Sequence, residues 1–85
     1  MVYVDDAIWP WHGRRWCHLL GDTPAELHRF ASRLGLHAFC YQGPPKTGTP
    51  HYDITGFERS RAIALGARPA TRGEIAAAAR AARAW

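Results

Sequence analysis

Short β-branched and aromatic runs alternate along the chain with stretches whose apolar residues recur every three or four positions, and each change of period falls beside a polar cluster. Val2-Tyr3-Val4 reads as a short buried strand that ends in Asp5-Asp6. Residues 8–13 hold large apolar groups around Pro10 and read as a loop. Residues 15–20 form a second predicted strand, with Trp16, His18 and Leu20 on one face and Arg15, Cys17 and Leu19 on the other. A third is expected over Ala38-Phe39-Cys40-Tyr41, followed by a Pro- and Gly-rich loop over 43–50 with no regular pairing. Arg68-Pro69-Ala70 fits an edge strand, because Pro69 has no N–H to give to a central ladder.

Three segments share one helix-start signature: Thr23 with Glu26, Thr55 with Glu58, and Thr71 with Glu74. In each, the threonine hydroxyl can accept from the backbone N–H three residues on, while the glutamate reaches back to the threonine N–H. The first predicted helix, 24–34, opens on Pro24, stops at Gly35 and buries Leu27, Phe30, Ala31 and Leu34. The second, from about 56 to 65, aligns Phe57, Arg61 and Leu65, with Ala62 and Ile63 nearby. The third begins near Arg72 and buries Ile75, Ala78, Ala79 and Ala82; its alanines favour helix but pack weakly, and its end frays or docks through Trp85.

The order is therefore β-β-α-β-α-β-α, a small two-layer α/β domain with a partly parallel sheet. The 85 residues form a single domain, its core over about 1–71 and an Ala/Arg-rich C-terminal helix over 72–85. A chain of this size buries roughly 60–65 % of its unfolded surface, so self-association is a plausible supplement to a modest core.

Charge adds a preference for partners. The formal net charge is +4, and ten of the eleven basic residues are Arg, whose planar fork suits phosphate and carboxylate. A GC-rich coding bias toward Arg and Ala explains the surplus equally well. Cys17 and Cys40 lie in expected strands without CxxC spacing and read as buried, reduced thiols. No apolar run approaches a membrane span, and a strand follows Met1 directly, so a soluble cytoplasmic protein is expected.

Chemistry concentrates at a few positions. His51 and Asp53, two apart in an extended segment before a helix start, point to one side, as a metal pair or a His-carboxylate base requires. Asp5 and His18 are further candidate ligands for a divalent ion such as Zn²⁺ or Mn²⁺. Each has a structural reading too: Asp53 or Thr55 caps the second helix, His51 bonds a loop carbonyl, Asp5 and Asp6 pair with Arg14 or Arg15, and His18 is a satisfied imidazole. Trp9, Trp11 and Trp16 interleave with Arg14 and Arg15, a mixture that stacks bases and holds phosphate, or else fills the core. At least one of Trp9 and Trp11 is expected to be exposed, since a turn at Pro10 would keep them off a common pleat.

Val2-Tyr3-Val4-Asp5, Trp16-Cys17-His18-Leu19, Glu26-Leu27-His28 with Phe30-Ala31, Gln42, His51-Tyr52-Asp53-Ile54 and Ala64-Leu65-Gly66-Ala67 together resemble the bacterial and phage family called domain of unknown function 4031. The resemblance runs to about Thr71; it implies small proteins without an assigned activity and transfers no mechanism. Three functions are thus expected. The first is binding of a nucleotide or nucleic acid in a cleft of Arg14, Arg15, His18, His51 and Asp53, with Trp9, Trp11, Tyr52 and Gln42 at the ligand. The second is a metal-dependent phosphodiester hydrolase with Asp5, His18, His51 and Asp53 as ligands or base. The third is a protein-interaction module using the Trp loop.

Overall fold

Alternation along one long strand organises the molecule. The computed structural model describes residues 1–6, 9–37, 40–44 and 47–83, with the backbone alone at Ala82 and Arg83. Its elements run β1 (Val2–Val4), β2 (Trp9–Trp11), β3 (Arg14–Gly21), α1 (Pro24–Leu34), β4 (Tyr41–Gln42), β5 (His51–Thr55), α2 (Gly56–Ala64), β6 (Arg68–Pro69) and α3 (Arg72–Arg83). The mixed sheet has the order β4-β5-β3-β1-β6, with β2 paired to β3 at the far end of that strand. Among the described residues β1 and β6 pair in parallel and the other pairs are antiparallel.

One face of the sheet carries Val2, Val4, Cys17, Leu19, Tyr52 and Ile54, all buried against Leu27, Phe30, Ala31 and Leu34 of α1 and Ala62 of α2. These two helices and the sheet make the main two-layer body. Gly21 ends β3 where α1 begins: a Cβ there would stand 3.1 Å from Leu27 Cβ and N, a tight contact that glycine avoids. α3 lies toward the opposite face, where Ala77, Ala78 and Ala81 line a groove with Tyr3 and Arg68.

All three threonine caps form. Thr55 and Thr71 make complete reciprocal boxes with Glu58 and Glu74. Thr23 accepts from the Glu26 N–H, but the Glu26 carboxylate goes to the Met1 ammonium instead of reaching back.

Three expectations are corrected. Residues 9–11 form a strand, not a loop: β2 is an edge, where Pro10 need not donate, and the turn at His12 and Gly13, with φ of 51° and 73°, closes a hairpin onto β3. Trp9 and Trp11 therefore do share one pleat. Cys40 is exposed and precedes β4, so of the two free thiols only Cys17 is buried; burial pushes its pKa up to about 12. Phe57 and Leu65, expected to align on one side of α2, are both exposed, and the small Ala62 is the side chain this helix buries against the sheet. On α3 Ala78 is buried and Ile75 and Ala79 are half-buried, while the Ala82 side chain and Trp85 lie outside the described residues, as do Ala38 and Phe39 of the expected third strand.

Candidate functional site

The register of β3 with its neighbours gathers the polar and aromatic groups on the sheet face opposite α1 and α2. His18 pairs with Asp53, Trp16 with Thr55 and with Trp9, Trp11 with Arg14, and Gln42 with His51, so all of these side chains leave the same side. Tyr52, expected at the ligand, has the opposite parity. It is buried among the core residues, and its hydroxyl meets His28 Nδ1 at 2.8 Å on the helix side. It belongs to the core, and His28, to which the sequence assigned nothing, fixes its hydroxyl.

His18 is held from two directions. Asp5 Oδ1 accepts from the His18 backbone N–H at 2.6 Å, and Asp5 Oδ2 stands 2.7 Å from Nδ1. The hydrogen bond to Asp5 holds the His18 pKa above the ordinary imidazole value, against the opposing effect of burial. With Nδ1 engaged, Nε2 is the nitrogen left for another partner. Both Asp5 oxygens serve His18, so in this geometry Asp5 orients the ring. Nor do Arg14 and Arg15 pair with the two aspartates, since Arg59 of α2 takes that place, 3.7 Å from Asp6 and bonded through Nε to the Asp5 carbonyl.

His51 repeats the arrangement. Its Nδ1 donates to the Thr49 carbonyl at 2.8 Å, which leaves Nε2 to face Asp53, 3.3 Å from Oδ1. The His18 and His51 rings meet edge to face with centroids 5.3 Å apart, and Trp9 leans over His18 at 4.6 Å. One ligand atom each from His18, His51 and Asp53 lies within 4.8 Å of the others. Ligands about 2.1 Å from a tetrahedral ion are ~3.4 Å apart. The His51–Asp53 edge already has that length.

The two expected arginines lie farther along the same strand. A cavity of about 570 Å³ opens where the start of β3 meets the start of α2, lined by Arg14, Arg15, Thr55, Gly56, Phe57, Glu58 and Arg61. Among the described residues, none of these three arginines has an ion-pair or hydrogen-bond partner, whereas Glu58 is committed to the Thr55 cap. The single cleft expected from the sequence is thus two neighbouring sites, a His/Asp cluster and an arginine cavity. Thr55 of the cavity is two residues from Asp53 of the cluster. Phe57 and Arg61 went unremarked as site residues, although their spacing of four on a helix was a signal that they share a face.

No helix among the described residues is long and apolar enough to cross a membrane. The model of one protein family, described as a protein of unknown function (DUF4031), matches residues 2–82, so the match includes most of the C-terminal helix and runs past Thr71. No curated protein and no solved structure matches the chain.

Proposed function

We propose a function for this chain, which belongs to the DUF4031 family, from its site alone: a divalent-metal centre on His18, His51 and Asp53 that hydrolyses a phosphodiester. The observation that carries the reading is the pair of oriented imidazoles. Each has its Nδ1 engaged, by Asp5 in one case and by the Thr49 carbonyl in the other, which leaves Nε2 as the nitrogen for a metal, and in His51 that atom stands 3.3 Å from Asp53 Oδ1. Such outer partners fix the tautomer and raise ligand basicity, and a satisfied surface histidine has no need of them in duplicate.

Three protein ligands leave a fourth position for water, as in catalytic rather than structural sites. An ion held there would lower the pKa of bound water to about 7 and supply hydroxide at neutral pH. Asp5 keeps the His18 ring in place, and Arg14, on the same face of β3 but four residues farther along the strand, would hold another phosphate of the same ligand. The arginine cavity favours a second reading, in which a phosphate-bearing ligand is held without being cleaved.

Native mass spectrometry of protein purified without chelator tests the metal. One Zn²⁺ or Mn²⁺ per chain is expected, lost in His51→Ala with an unchanged far-UV circular dichroism spectrum. Metal-dependent release of nitrophenol from bis(p-nitrophenyl) phosphate then supports hydrolysis. A metal-free mass after incubation with either ion overturns the centre, and a loaded but inactive protein leaves the second reading.

A further inference from the structure

From the arginine cavity and the exposed aromatics beside it, we infer that the ligand of this face is a single-stranded nucleic acid, lying from the His/Asp cluster across Trp16 to the cavity. As a statement about substrate, it rests on the hydrolase reading above. Three features carry it.

The first is charge. Arg14, Arg15 and Arg61 converge on one cavity without acidic partners, and the only carboxylate in its lining, Glu58, is tied to Thr55 N and Oγ1. The start of α2 adds the positive end of its dipole. Unpaired guanidiniums brought together repel one another, so an anion entering among them gains from all three.

The second is the aromatic surface. Phe57 is 75 % exposed in the cavity wall, and Trp11 is 59 % exposed on the hairpin beside it. Neither contributes to the buried core. Trp11 is held in place by ring contact with Trp16 at 5.7 Å and by the bond from Trp16 Nε1 to its own carbonyl at 2.9 Å. A rigid exposed aromatic beside a guanidinium offers a stacking surface to any base. Bases within a duplex are already stacked on each other, which limits this recognition to single strands.

The third is spacing. The cluster and the cavity are joined by the pairs His18–Asp53 and Trp16–Thr55, and each step of two residues along a strand covers about 7 Å. A ligand with a phosphate at each of the two sites therefore carries them about one nucleotide repeat or more apart, as a single strand does. A nucleoside monophosphate, with a single phosphate, could place one on only one of the two.

The test is fluorescence anisotropy with metal-stripped protein in chelator, so that binding is read without cleavage. The probes are a labelled oligothymidylate of about ten nucleotides and a mixed-sequence duplex of the same length. Tighter binding of the single strand is expected, with log K falling against log salt at a slope of about −2 for three phosphates. Arg61→Ala and Arg14→Ala should each flatten the slope by about 0.7. Trp11→Ala and Phe57→Ala should weaken binding about tenfold at a constant slope. All four positions are exposed, and circular dichroism together with native metal loading verifies that each variant stays folded. Duplex bound as tightly as single strand, or variants that bind like the parent, overturns the inference. So does full competition by inorganic phosphate alone, which reduces the cavity to a small-anion site. A protein that binds single strands in this way but never takes up metal supports the inference and overturns the hydrolase reading.

Discussion

Asp5 sets the orientation of His18 in the site. Its two oxygens hold one histidine by backbone and by ring, and this contact raises the His18 pKa. A group whose folded pKa is raised stabilises the protein below its unfolded value, about 6.5 for histidine. That contribution is lost as pH rises through the folded value. In metal-stripped protein, Asp5→Asn should therefore move the His18 ring titration, followed by NMR, to lower pH. Its destabilisation in urea should be larger at pH 6 than at pH 8.5. An equal loss at both pH values would mean that Asp5 acts only through its bond to the backbone N–H. Tyr52 teaches a related lesson. The sequence set it beside His51 and Asp53 as a ligand contact, yet one residue of register sends it to the opposite face, where it fills the core.

Among the elements, α2 links the core to the cavity. It follows β5 without an intervening loop, so the Thr55 cap sets both the direction of the helix and the placement of Phe57 and Arg61. The Thr55 hydroxyl accepts from the Glu58 N–H while the Glu58 carboxylate accepts from the Thr55 N–H. Thr55→Ala should cost about 1 kcal/mol, within the usual range for an N-cap, measured by chemical denaturation. It should also release Glu58 toward Arg14, Arg15 and Arg61 and weaken the cavity for anions. An unchanged denaturation midpoint would show that burial against β3 sets this helix without the cap. The hairpin β2–β3 is the element whose character was least visible in advance. Pro10 marks a loop in most contexts, and only at a sheet edge does its missing donor cost nothing.

At the scale of the whole molecule, stability is narrow. A chain of 85 residues has a total of roughly 4–13 kcal/mol at ordinary values per residue. Leu19 lies fully buried on the central strand, between β1 and β5 and beneath α1. Leu19→Ala should cost about 2–5 kcal/mol, seen as a large fall in melting temperature, and it will unfold the protein if the total lies at the lower end. A loss below 1 kcal/mol would place the principal core elsewhere. The sequence by itself determined what depends on local chemistry. The three helix starts come from Thr and Glu at a spacing of three, the two faces of β3 from strict alternation, the edge position of β6 from Pro69, and the common side of His51 and Asp53 from strand parity. The tertiary structure alone decided what depends on register and on which strand neighbours which. It opposed His18 to Asp53, gave Asp5 to His18 instead of to an arginine, turned Trp9-Pro10-Trp11 into an edge strand, and placed Arg14 and Arg15 with Arg61 in a cavity apart from the histidines. Periodicity reports the side on which a residue leaves its own element, and only long-range pairing settles what it meets there.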